Sequence, residues 1–322
     1  MLSANPAWRD KLLGASLAVI ASLLTAAITL GDDVAVETIL DNLQRPCGLA
    51  VRPGGTADRY ELFIAESGAG RVVRWANLEP DRVTEAVTGF ATNAASEPWQ
   101  QRGPLAVAFL DPGLLVVGMA AERDDHLVRS FELPDGDAVL ASGQTGVAAT
   151  QAGPAVTSAC VALTRSRANE FVPDMFVAAV SGGEGGRLIK IRIQAGILGT
   201  QQPFGDTTSP PPLAVATSGS GRIVVAGARL TFCSPINGSV ELQLPLDLEQ
   251  PTSLAYSPTT GSLYAADFAG GIYRIDDASE PGRPACRTVR IAEMRQPTAL
   301  SFSPDGALYV VTYGTGDGGT LQ

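Results

Sequence analysis

Histidine occurs once in the 322 residues, at His126, and cysteine four times, at Cys47, Cys160, Cys233 and Cys286. A single histidine makes no multi-histidine metal site. No Cys-x-x-Cys or Cys-x-x-Cys-His is present, which excludes zinc ribbons, haem attachment and redox dithiols. Lysine is confined to Lys11 and Lys190, so arginine carries nearly all the positive charge. The 23 basic residues face 33 acidic ones for a net charge of −10, with no long basic stripe, which argues against nucleic acid as a partner. No phosphate-binding G-x-x-x-x-G-K-[ST], no helix-opening G-x-G-x-x-G and no G-x-S-x-G nucleophile elbow occurs. Beyond residue 31 no stretch has the length and periodicity of an amphipathic helix.

Apolar residues make up 45% of the chain, with 35 glycines and 22 prolines, enough for a large core and too apolar for disorder. One uncharged run stands apart, Leu12 to Gly31, between Arg9-Asp10-Lys11 and Asp32-Asp33. Twenty residues at a rise of about 1.5 Å just cross a bilayer core of about 30 Å, and Thr25-Ala26-Ala27 offers small residues for signal peptidase. Both readings stand, a cleaved signal or a retained N-terminal anchor. Either puts residues 34–322 outside the cytoplasm, secreted or periplasmic, with the membrane met only through this segment.

The remainder reads as short strands broken by Gly, Pro, Asp and Ser, and it repeats itself. Pro46-Cys47-Gly48-Leu49-Ala50-Val51 is echoed by Pro104-Leu105-Ala106-Val107-Ala108-Phe109, by Ser158 to Leu163 and by Pro210 to Val215. Pro251-Thr252-Ser253-Leu254-Ala255-Tyr256 and Pro297-Thr298-Ala299-Leu300-Ser301-Phe302 are the closest pair. A turn and a second strand follow each echo, as in Leu263 to Asp267 and Leu308 to Val311. Third strands follow in several repeats, as in Arg71 to Trp75 and Gly271 to Ile275. That is the period of a propeller blade, four antiparallel strands whose edges are hidden by radial repetition. The predicted fold is all-β, six four-stranded blades behind an N-terminal apolar helix. The sixth repeat runs out of residues after Tyr313, so Val34–Leu40 is expected to close it beside residues 318–322, unless the chain is truncated.

The pattern P-x-x-L-A-[V/Y/F]-x-P-x-x-G-x-L-Y-[V/A]-A-D, then G-x-[I/V]-x-R, resembles the six-bladed propellers of the NHL-repeat and gluconolactonase-like superfamily. Repeats one, five and six match it best. The lactonases of that group use a metal to polarise a lactone carbonyl and activate water. Their first-blade carboxylate is replaced here by Arg45-Pro46-Cys47, and no inner-strand asparagine can be placed. That departure argues against lactonase activity. No cofactor is assigned from the residues, and Ca²⁺ is the metal the resemblance would admit.

In such a blade the lead-in to the first strand and the exit from the second share one face near the axis. Arg45, Arg102, Gln250 and Gln296 fall at lead-ins, and Glu66, Glu122 and Asp267 at exits. Arg45, Arg102, Glu66, Asp267, Gln250 and Gln296 are the candidate ligand-binding set, with no catalytic or metal residue assigned. The plainer reading of Glu66 and Asp267 is that each caps the Gly-rich turn beside it. Glu122-Arg123-Asp124-Asp125-His126 could orient a general base, but adjacent loop residues seldom converge. Ser181 to Gly186 reads as a turn, and Trp75, Trp99 and Tyr273 as outer-strand packing. Cys233 and Cys286, after third strands of neighbouring blades, are a candidate disulfide permitted by the oxidising compartment. Cys47 and Cys160 are expected to be free core residues.

The expected function is therefore a non-catalytic extracytoplasmic module binding a protein, glycan or acidic small molecule. The alternative is a metal-dependent lactonase-type hydrolase or lyase. A quinone-dependent sugar dehydrogenase would need a histidine facing the channel, and only His126 is available.

Overall fold

A computed structural model describes residues 34–121, 127–143, 147–151, 158–165, 174–181, 185–205, 211–276, 286–314 and 318–322. One compact unit comprises residues 1–35 and the other Val36–Gln322. The apolar run Leu12 to Gly31 lies outside the described residues. Among those described, no helix is long and apolar enough to cross a membrane.

Among the described residues of the second unit the regular structure is strand, apart from a short 3₁₀ turn at Pro98–Gln100. The first repeat forms Pro46–Val51, Glu61–Glu66, Arg71–Ala76 and Glu79–Thr88, each antiparallel to the next. The second runs Pro104–Asp111, Leu114–Ala121, Val128–Glu132 and the two-residue Val147–Ala148. Ser158–Arg165, Asp174–Ser181, Gly186–Gln194 and Ile197–Pro203 make the third. Ala214–Thr217, Ile223–Ala226, Arg229–Cys233 and Val240–Pro245 make the fourth. The fifth is Pro251–Tyr256, Leu263–Asp267, Gly271–Asp276 and Arg287–Ala292. The first strand of each repeat touches the first strand of the next, and Pro297–Phe302 returns to touch Pro46–Val51. The result is a propeller-like array of antiparallel sheets whose first strands meet one another around an axis.

The closing sheet shifts one expectation. Its strands Pro297–Phe302, Leu308–Thr312 and Gly319–Leu321 are completed by Leu40–Leu43, which meets the expected Val34–Leu40 only at that segment's end, where the Ile39 N–H also donates to the Leu321 carbonyl at 2.8 Å. Leu40 faces Leu321 and Leu43 faces Gly319. The shift follows burial: Leu43 packs with Tyr60, Ile64, Trp75 and Leu321, whereas Val34 and Val36 stay exposed.

Ser-Pro turns link first to second strands in the fifth and sixth repeats. In the last repeat Gly306 takes φ 91° and donates its N–H to the Ser303 carbonyl at 3.0 Å, a conformation an L side chain adopts only with strain. Between sheets the core is aromatic and aliphatic. Phe63, Phe131, Phe176 and Phe232 are fully buried, each worth about 1.5–3 kcal/mol over an exposed side chain. Gly48 marks the tightest approach at the axis: a Cβ there would stand 2.8 Å from the Ala106 Cα of the next repeat. Residues 140–151 break the repeat pattern by adding short strands to the outer edges of repeats one, two and three.

Candidate functional site

The first strands carry a shared irregularity. Their ladder slips at Pro46/Gly48, Pro104/Ala106, Cys160/Ala162, Pro251/Ser253 and Pro297/Ala299, leaving one bulged residue in each. A bulge re-aims its side chain. The bulged Cys47, Leu105, Val161, Thr252 and Thr298 join Leu213 of the fourth repeat around a void of about 20 Å³. Every repeat thus contributes one side chain to a waist on the axis. Thr252 Oγ1 donates to the Pro297 carbonyl at 2.9 Å and Thr298 Oγ1 to the Pro46 carbonyl at 2.8 Å, the second bond spanning the ring closure.

A plug closes the waist on the face where the lead-ins lie. Pro98 and Trp99 border the void. Trp99 meets Phe268 edge-on at 5.7 Å between ring centroids, and Phe268 meets Tyr313 at 5.9 Å. Gln101, fully buried, anchors the loop: its Oε1 accepts from the Ala95 N–H at 3.1 Å, and the Tyr313 Oη lies 2.9 Å from it. Trp99 was expected in outer-strand packing. It instead occupies the axis, and Trp75 sits in the core beside Tyr309 at 5.9 Å. Sequence reasoning missed the plug because residues 89–103 match no repeat position, and only Trp99 and the chain's return to Pro104 hinted at it.

Beyond the waist, away from the plug, a cavity of about 1080 Å³ is lined by all six first strands and by their following turns at Ser218 to Ser220 and Ser257 to Gly261.

The predicted residues divide by role. Arg45, Gln250 and Gln296 are half-buried and Arg102 is exposed. Arg45 and Gln296 take left-handed backbone, φ 49° and 50°. Their carbonyls and that of Gln250 accept N–H groups from Ser67, Tyr313 and Phe268, one bond repeated in three repeats. Glu66 and Asp267 are buried and engaged locally. Glu66 accepts from the Gln44 N–H at 2.6 Å and the Arg71 Nε at 2.6 Å. Asp267 accepts from the N–H groups of Glu249, Gln250 and Ala269 at 3.0, 2.8 and 3.2 Å. Each carboxylate holds the backbone leading to its own first strand. Among the described residues no group of three or more His, Cys, Asp and Glu is placed to hold a metal ion. Glu122 and His126 lie outside the described residues, as do Gly182 to Glu184.

The thiol and phenol near the plug are kept neutral. Burial pushes the Cys47 thiol up to about 12, against the lowering effects of Ser67 and Arg45. Burial raises the Tyr313 phenol too, helped by Cys47 and Glu97 and opposed by Arg45. Neither is a base or nucleophile at neutral pH.

Cys233 and Cys286 are free thiols, which corrects the disulfide expectation. The Cys286 Sγ donates to the Pro245 carbonyl at 3.0 Å, and Pro245 pairs with Arg229, at the other end of the strand that Cys233 ends. Four residues of strand separate the two positions by roughly 13 Å, beyond the roughly 7 Å limit for a disulfide. Cys47 and Cys160 are buried free thiols, as expected.

No family profile matches the sequence, and no curated protein matches it. Solved structures do. One named glucose dehydrogenase aligns with a TM-score of 0.61 at 17% identity, over 89% of this chain and 98% of its own. A second glucose dehydrogenase gives 0.58 at 17% over the same shares. An oxidoreductase described as a glucose dehydrogenase from Thermus thermophilus gives 0.59 at 16%, again over 89% and 98%. At such identity the likeness is one of fold. None of these three is named for NHL repeats or as a gluconolactonase. The expectation of a non-catalytic module, with a lactonase as its alternative, is corrected by this finding: these three chains, which share the fold across nearly their whole length, are named as dehydrogenases.

Proposed function

We propose that this chain is a six-bladed β-propeller oxidoreductase of the extracytoplasmic space, acting on a polar small molecule at the plugged face. The observation that carries the reading is the match to chains named glucose dehydrogenase over 89% of this chain and 98% of theirs. The six-membered ring of first strands and the one-per-repeat waist support the blade count.

Gln250, Gln296, Arg45 and Arg102 stand at the lead-ins of repeats five, six, one and two, successive members of the ring. Arginine there can grip a carboxylate or paired hydroxyls with its planar fork. Glu66 and Asp267 fix the backbone beside Arg45 and Gln250 and so act as positioning residues. Leu12 to Gly31 would export or tether the domain.

Oxidation of a sugar also needs an electron acceptor. Trp99, Phe268 and Tyr313 meet on the axis at this face, so a quinone would have to lie beside them, and His126, the one histidine, is outside the described residues. The test is reduction of a dye by the purified full chain with D-glucose and other aldoses, with and without added pyrroloquinoline quinone and Ca²⁺. Sugar-dependent dye reduction that falls about tenfold or more in Arg45→Ala is expected. No sugar-dependent reduction across the panel would sink the reading.

A further inference from the structure

The axial cavity lies at the other end of the molecule from the residues just considered. Its volume of about 1080 Å³ stands at the upper end of the roughly 300–1,000 Å³ of small-molecule sites. The waist and Trp99 close it at one end.

Its lining is two-sided. Repeats one and two line it with apolar residues only, among them Ala50, Val51 and Ala108, with no hydroxyl below the waist among the described residues. Repeats three to six supply hydroxyls, among them Thr164, Thr217, Ser218, Ser253, Tyr256 and Ser301. The Thr164 and Thr217 hydroxyls meet at 3.1 Å across the junction of repeats three and four. Among the described residues lining the cavity Arg165 alone is charged, and no carboxylate or ammonium joins it. Each first strand pairs mainly on its outer side, so its other edge offers backbone N–H and C=O groups toward the axis.

Chemistry of this kind rejects some ligands outright. A metal ion or polyamine finds no anionic oxygen, and a polyanion finds a single guanidinium. A molecule with hydroxyls on one side and an apolar face on the other satisfies both walls. We infer that the axial cavity is a second site, binding a neutral hydroxylated small molecule with an apolar face, of the pyranoside class. The inference does not depend on the oxidoreductase reading.

Calorimetric titration of the full chain with p-nitrophenyl β-D-glucopyranoside tests it, with gluconate and spermidine as charged comparators and no electron acceptor present. The pyranoside is expected to bind, and both comparators at least about tenfold more weakly. Thr217→Val and Ser301→Ala, which remove hydroxyls while keeping volume nearly constant, should each weaken binding about tenfold. Ala108→Phe, which fills the apolar wall, should abolish it, with circular dichroism reporting that the variant is folded. Absence of pyranoside binding, or equal binding of gluconate, overturns the inference. So does an affinity that falls with Arg102→Ala and not with Thr217→Val, because the pyranoside would then sit at the other end. Turnover is not read, so failure here leaves the dye-reduction result standing.

Discussion

Glu66 and Asp267 occupy one position in their repeats, each paired with the proline that starts the first strand. Both carboxylates take the N–H two residues before that proline, from Gln44 and Glu249, and Asp267 takes the Gln250 N–H as well. Glu66 also closes an ion pair with Arg71, while its own side chain is 1% exposed. Glu66→Ala leaves the Gln44 N–H without its acceptor while Arg71, a third exposed, keeps Glu85, so the cost should be about 1–3 kcal/mol, read as a lower urea midpoint. Asp267→Asn keeps one acceptor oxygen and should cost less, about 1–2 kcal/mol. Buried thiols and a phenol set a second residue-scale effect. Burial pushes Cys47 from an ordinary 9.0 to about 12, Cys233 from 9.0 to about 11 and Tyr256 from 10.0 to about 12. Below pH 9 both folded and unfolded chains hold these protons. Above it the unfolded chain releases protons that the folded chain keeps, so stability falls as pH climbs through these windows. Urea midpoints at pH 8, 9, 10 and 11, chosen from those windows, should decline progressively above 9. A flat profile would refute the assignment.

At the scale of elements, the plug is the segment most exposed to single changes. Its loop holds one 3₁₀ turn, and its buried anchor is Gln101, satisfied by Ala95, Asn93 and Tyr313. Tyr313→Phe removes one of those partners and leaves a buried acceptor short of a hydrogen bond, a loss of about 1–3 kcal/mol. Gln101→Ala removes all of them and should free residues 91–102. Limited proteolysis should cut the variant within that segment while the parent resists. The first strands were readable in advance because Pro-x-x-Leu-Ala repeats at blade spacing. The plug was not, because a loop that fills an axis has no periodicity and its burial depends on residues as distant as Phe268 and Tyr313.

For the whole molecule, closure draws on contacts between the chain's beginning and end, and two of them are backbone-anchored. One is the Leu40–Leu43 strand on Gly319–Leu321, and the other is the Thr298 hydroxyl on the Pro46 carbonyl. A propeller with one open sheet exposes an edge and parts of two cores, so damage there is shared by the ring. Leu43→Asp places a carboxylate at a 5% exposed position among Tyr60, Ile64 and Trp75. It should lower the melting temperature of the entire domain in one cooperative transition. A biphasic melt with most of the ring unaffected would contradict this. The shifted closing strand illustrates a limit of pattern reading. Val34-Ala35-Val36 alternates less usefully than it looks, and only the position of the Tyr60–Ile64–Trp75 core selects Leu43 as the residue to bury.

Composition and repetition by themselves determined the all-β class, the first-strand positions of repeats one, two, five and six, the Ser-Pro turns of the last two repeats and the absence of dithiol and multi-histidine chemistry. These follow from local rules, since strand alternation and turn residues act over a few positions in the chain. The third and fourth echoes stand two residues off, since Val161 and Leu213 take the place of Cys47. Tertiary structure alone decided which end of the axis is open, that Glu66 and Asp267 are held by their own backbone, and that Cys233 lies too far from Cys286 for a bond. Each of these depends on how repeats far apart in sequence meet around the axis. One face is filled by Trp99, Phe268 and Tyr313, and the other is left as a cavity with one apolar wall and one hydroxyl-bearing wall. Ring geometry makes neighbours of residues hundreds of positions apart, and no short-range pattern in the chain encodes which side chains will share that space.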